Sequence, residues 1–154
     1  MINKSKISGW GNYPVIKANI SKPKNLDELK YILSKNESAI ARGNGRSYGD
    51  SSINEQLTIK MENFNKVLEF DEKKGLIRVE SGILLKKILE RFVPKGWFPP
   101  VTPGTKYVTV GGMVASNVHG KNHHKVGSFS NFIDRLKIIN NKGIIIECSS
   151  KKNI

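Results

Sequence analysis

Apolar residues at Leu26, Leu29, Ile32 and Leu33 fall on one face of a helix, with Asn25 placed to cap it, Asp27 in the first turn and Glu28 three residues after the cap. This predicts a helix ending near Lys35. Leu84, Leu85, Ile88, Leu89 and Phe92 repeat at the same period, and Pro94 and Gly96 stop them. Elsewhere the period shortens. Ser38 to Arg42, Leu57 to Met61, Val67 to Asp71 and Leu76 to Glu80 read as strands, the last two joined at Lys74-Gly75. Phe132 to Asn140 and Ile144 to Ser149 read as a hairpin around Asn141-Lys142-Gly143. Strand and helix signals alternate without repeat or low-complexity tract, which predicts an α+β fold whose first lobe closes near Glu80.

A chain of 154 residues holds one domain or two small lobes sharing a core. With 38% apolar and 25% charged residues it excludes the disordered and disulfide-scaffold classes. Cys148 has no partner for an internal disulfide, and the start Met1-Ile2-Asn3-Lys4-Ser5-Lys6 leads into no apolar segment, so a reducing cytosol is expected. The longest apolar run is broken by Gly111, Gly112 and Asn117, far short of the roughly 20 residues of a membrane span. Twenty-six Lys and Arg against thirteen Asp and Glu give +13, which attracts phosphates, acidic membrane surfaces or nucleic acid. The lysines are scattered and the arginines are five, so a solvated lysine-rich surface is the plainer reading.

Three segments carry candidate chemistry. Ala41-Arg42-Gly43-Asn44-Gly45-Arg46-Ser47-Tyr48-Gly49-Asp50 follows a predicted strand, and its glycines let backbone N–H groups converge on an anion. It is not a Rossmann fingerprint, which needs glycine where Tyr48 stands; a tight surface loop is the bland alternative. Pro103-Gly104-Thr105 and Thr109-Val110-Gly111-Gly112 precede Met113 to Lys121, and a short helix opening at the glycines is expected to offer free N–H groups to a phosphate. The P-loop pattern fails at Ala115 and Asn122. Hydroxyls of Ser47, Thr109 and Ser116 stand by as further donors. His119-Gly120-Lys121-Asn122-His123-His124 holds every histidine, but no Asp or Glu lies between Glu90 and Asp134, so no metal is expected.

In chain order, Ser8-Gly9-Trp10-Gly11-Asn12, the Ala41 to Asp50 run, Pro103-Gly104-Thr105, Thr109 to Gly112 and His119 to His124 resemble one family. It is the FAD-binding part of the p-cresol methylhydroxylase and vanillyl-alcohol oxidase superfamily, within it the decaprenylphosphoryl-ribose 2-oxidases. The resemblance implies a two-lobed α+β domain, lobe one about 14–80 and lobe two about 81–154, with FAD between them. The first-lobe contacts would be Ala41, Arg42, Gly43, Asn44, Gly45, Arg46, Ser47, Tyr48, Gly49, Asp50 and Ser51. Those of the second would be Gly104, Thr109, Val110, Gly111, Gly112, Ser116, Asn117, Val118 and His119. Members that bind flavin covalently through this loop have histidine at the position of Arg46, so dissociable FAD is implied.

The chemistry implied is oxidation of the C2′ hydroxyl of a polyprenyl-phosphoryl ribose, or another polyol, with hydride passing to flavin N5. An NAD-dependent reductase partner would complete an epimerisation, in the cytoplasm at the inner face of the membrane, and nucleic acid is not expected. The resemblance assigns no catalytic base. Family chains are considerably longer, so this one is expected to be C-terminally incomplete, a fragment or half of a split enzyme, lacking the substrate domain and inactive alone. On the residues by themselves, a basic nucleotide- or nucleic-acid-binding module without redox activity stays open.

Overall fold

The computed structural model describes residues 2–149; Lys151, expected to be a solvated tail charge, lies outside the described residues. Strands β1 (Ile2–Ser8), β2 (Val15–Ser21), β3 (Ile40–Arg42) and β4 (Thr58–Lys60) form a four-stranded sheet in the order β1-β2-β4-β3. The first pair is antiparallel, and β4 runs parallel to both its neighbours. Helix α1 (Leu26–Lys35) packs Leu29 and Ile32 onto Leu57 and Ile59 beside β4, all buried. Each such side chain contributes about 1.5–3 kcal/mol by leaving water. Leu26, assigned by the pattern to the same face, is exposed at the first turn.

The α1 cap forms as the sequence predicts, Asn25 Oδ1 accepting from the Glu28 N–H at 2.9 Å. Glu28 itself reaches past the cap residue, accepting from the Lys24 N–H at 2.8 Å. Strands β5 (Val67–Asp71) and β6 (Leu76–Val79) make a separate antiparallel pair. Beyond it Glu80 bonds Lys66 twice, its N–H donating to Lys66 O at 3.0 Å and its carboxylate accepting from the Lys66 N–H at 2.8 Å. Helix α2 (Leu85–Phe92) lays Ile88 and Phe92 against this pair, with Phe70 between the Phe92 and Trp97 rings. A 3-10 turn at Val93–Lys95 and Gly96 in the left-handed region stop it, as Pro94 and Gly96 predict.

Two short helices follow, α3 (Val110–Ala115) and α4 (His123–Val126). The last hairpin is shorter than its apolar pattern, β7 (Arg135–Ile139) and β8 (Ile145–Ser149), because Phe132 closes a 3-10 turn at Phe129–Phe132. It packs back on the first core: Ile139 touches the Leu29–Ile59 cluster, and Gly143 lies beside the Lys30 carbonyl. The α+β class stands. Strand β1, β2 and helix α4 are additions to the elements read from the sequence, and Ser38 to Arg42 contracts to Ile40–Arg42 as the Ser38 hydroxyl accepts from Asn54 Nδ2.

Candidate glycine-loop and FAD site

Strand β3 delivers the chain into the loop Gly43 to Ser52, and the arginine that ends the strand, Arg42, and the one within the loop, Arg46, are used in opposite ways. Arg42 is a clamp within the protein. Its Nη2 donates to Ser8 O at 2.8 Å and its Nη1 to Ser52 Oγ at 3.2 Å, which also accepts from Ser47 Oγ at 2.9 Å. Partial burial pushes the Arg42 guanidinium below its usual pKa, since desolvation disfavours its charge. Gly45, at φ 63°, passes directly over this guanidinium, where a Cβ would strike Nη2.

Arg46 is held by faces rather than bonds. Its guanidinium lies 4.1 Å from the centroid of Trp10 and 5.7 Å from that of Tyr107. Among the described residues it has no hydrogen-bond or ion-pair partner, and its Nε is buried unpaired. Trp10 comes from the turn after β1, which is fixed to the loop by the Trp10 N–H donating to Ser47 O at 2.7 Å. Among the described residues no acceptor takes the backbone N–H groups of Asn44 through Gly49. An unpaired run of amides beside an unneutralised guanidinium leaves free the donors that an anion nest requires.

The second segment is brought against the first. Thr109 caps α3, and its hydroxyl lies where a Cβ on Gly43 would be; Asn44 Nδ2 donates to Tyr107 O at 2.8 Å. The expectation of free amides where Gly111 and Gly112 open the helix is corrected, however. Val110 N–H donates to Ile83 O at 2.9 Å, Gly111 N–H to Ser81 O at 2.7 Å and Gly112 N–H to Thr109 Oγ1 at 3.2 Å. The approach of the Ser81 turn, rather than a ligand, explains glycine at 111. Of the three hydroxyls named above, only that of Ser116 lacks a partner among the described residues.

Beyond α3, Asn117 takes φ 40° and its Oδ1 accepts from the Ser130 N–H at 3.0 Å, while Val118 O accepts from Phe129 N–H at 2.8 Å. Nδ1 of His119 and of His123 both lie near Gly120 O, at 3.4 and 3.1 Å, and their rings are 4.9 Å apart. Among the described residues no hydrogen bond joins Ser116 to His119 with the Gly43 to Ser51 loop. Gly104 is exposed and a Cβ there would meet nothing within 4 Å. Trp10, Tyr107, Ser8 and Ser52 are the participants that site reasoning from the loop motif passes over. Trp10 stands in the quoted Ser8 to Asn12 motif, whereas no local pattern marks Tyr107.

The FAD binding domain family matches residues 20–149. The chain is 33% identical over 144 residues to decaprenylphosphoryl-beta-D-ribose oxidase of Mycolicibacterium smegmatis, covering 90% of this chain and 31% of that protein. It is 27% identical to L-gulonolactone oxidase of Mus musculus, covering 85% of this chain and 30% of the relative. With D-lactate dehydrogenase of Anaerostipes hadrus it shares 29% over 64% of this chain and 21% of the relative. The chain thus spans about a third or less of the curated relatives it matches. The unpaired amides of the first loop, with Arg46 beside them, suit the diphosphate of a dinucleotide. The match takes in both glycine segments, and the chain therefore belongs to the FAD binding domain family, of the p-cresol methylhydroxylase type, with FAD as its cofactor.

Proposed function

We propose that this chain is the cofactor-holding part of an oxidoreductase acting on the hydroxyl of a polyprenyl-phosphoryl sugar, in the cytoplasm at the inner face of a membrane. The observation that carries the reading is the Asn44 to Gly49 run of unpaired amides, closed on one side by Arg46 and joined to Thr109 at Gly43. Ala41 to Ser51 would hold the cofactor from a lobe of about residues 14–80. Gly104, Thr109 to Gly112 and Ser116 to His119 would meet it from a lobe of about 81–154. Bound FAD supplies a hydride acceptor at N5 for the carbon that carries the sugar hydroxyl. The chain's own contribution is to fix the anionic portion through the amides and to exclude a covalent link, because Arg46 offers no imidazole for a histidyl bond. The M. smegmatis relative, by its name an oxidase of a polyprenyl-phosphoryl ribose, supports the substrate class. An NAD-dependent reductase would complete an epimerisation with it. Among the described residues no helix is long and apolar enough to cross a membrane.

Titration of the purified chain with FAD tests the reading. Saturable binding is expected, and acid precipitation of the complex should leave the flavin in the supernatant. Flavin carried down with the polypeptide would exclude dissociable binding, and absence of saturation would remove the proposed site.

A further inference from the structure

We propose that the β1–β2 hairpin is a docking face for an anionic lipid bilayer, a proposal that rests on the membrane-surface reading above and gives it a place on the molecule. The register sets Lys6 directly opposite Lys17, with Lys4 opposite Asn19 and Val15 opposite Ser8 on the same face. Like charges in that position destabilise a strand pair. Nothing relieves them: among the described residues Lys4, Lys6 and Lys17 make no ion pair, and no Asp or Glu precedes Asp27. At the end of the hairpin Tyr13 is 81% exposed, Val15 57% and Trp10 53%.

Lysines on an edge strand are one way a sheet avoids pairing with another chain, and β1 is such an edge. That role does not explain aromatic and apolar side chains crowning the same hairpin. Aromatic rings at headgroup depth, with lysine stems reaching lipid phosphates beside them, are the chemistry of a membrane interface. The crown is also fixed to the glycine loop through Trp10 N–H and Ser47 O, and Gly9 lies against Gly49 O. Docking by this face brings the proposed flavin site to the bilayer surface, where the headgroup of a polyprenyl-phosphoryl sugar is presented.

Co-sedimentation of the FAD-saturated chain with vesicles tests the proposal, using phosphatidylglycerol mixed with phosphatidylcholine against phosphatidylcholine alone. Binding to the anionic vesicles only is expected. The triple variant Lys4→Gln, Lys6→Gln, Lys17→Gln should weaken it about 100-fold, roughly fivefold for each lysine. Tyr13→Ser should weaken it separately. Lys73→Gln, Lys95→Gln, Lys142→Gln removes the same charge from exposed positions elsewhere and should leave most of the binding. Equal losses in the two triple variants would reduce the effect to net charge and overturn the docking face. So would binding of a duplex oligonucleotide through the same lysines, or a Tyr13-dependent dimer without lipid. FAD affinity measured on the same samples reports that each variant is folded and separates the two readings. Vesicle binding without FAD binding defeats the flavin assignment; FAD binding without vesicle binding defeats the docking face.

Discussion

Gly43 and Gly104 are both glycines of the proposed site, and the fold requires only the first of them. A Cβ on Gly43 would meet the Thr109 side chain, so Gly43→Ala should destabilise the folded chain by about 1–3 kcal/mol, as overpacking does, whether or not flavin is present. A Cβ on Gly104 meets nothing within 4 Å, and Gly104→Ala should keep stability within about 0.5 kcal/mol. If Gly104 touches the cofactor, its FAD affinity must nevertheless fall; thermal melts beside FAD titrations of the two variants check this, and unchanged affinity for Gly104→Ala would remove that residue from the site. Arg42 and Arg46 sharpen the same distinction. Arg42→Met deprives Ser8 O and Ser52 Oγ of charged donors and should cost about 1.5–3 kcal/mol in denaturant melts, with Arg42→Lys a poor rescue because a single ammonium lacks the guanidinium fork. Each arginine stands beside one glycine in the sequence, Gly43 for Arg42 and Gly45 for Arg46, and nothing local told their roles apart. What separates them is Ser8 and Ser52 for one and Trp10 and Tyr107 for the other, partners supplied by chain folding.

Elements whose own residues decide them were the ones the sequence revealed. Helix α1 carries its cap, its acidic first turn and its apolar stripe locally, and Asn25→Ala should remove about 1 kcal/mol, lowering Tm by roughly 2–4 °C in a chain of this size. A melt unchanged by that substitution would show that the cap contributes nothing. Strands β5 and β6 were equally legible, each an apolar run closed by a turn at Gly75. The β1–β2 pair was not, because β1 is an edge strand with most of its residues exposed and only Ile2 and Ile7 apolar. β2 does hold an alternation, Ile16, Ala18 and Ile20, but it lies beside a strand that gives no matching signal. The opening of α3 marks a further limit. Its glycines predict a helix start correctly, yet whether the first amides are free depends on Ser81 and Ile83, which a local pattern does not contain.

At the scale of the whole molecule, holding a cofactor and holding a substrate are separate tasks, and the proposed glycine-loop site addresses the first. Two concavities, of about 550 and 490 Å³, lie between β5 and α2 and between α1 and the base of the β1–β2 hairpin. Neither is lined by any residue from Ala41 to Ser51 or from Gly104 to His119. Hydride transfer needs the sugar carbon held about 3–3.5 Å from its acceptor, and such positioning accounts for roughly 7–11 kcal/mol of a barrier. A glycine loop in the role proposed for it, holding a diphosphate, supplies none of that orientation to a sugar. The 154-residue chain saturated with FAD is therefore expected to leave the flavin oxidised when a polyprenyl-phosphoryl ribose is added without oxygen. Adding the C-terminal portion of a longer relative is expected to let the same flavin bleach. The measurement is flavin absorbance under both conditions, with FAD occupancy confirmed beforehand. Rapid bleaching by the chain alone would place a sugar-orienting site within these residues and defeat the separation of the two tasks.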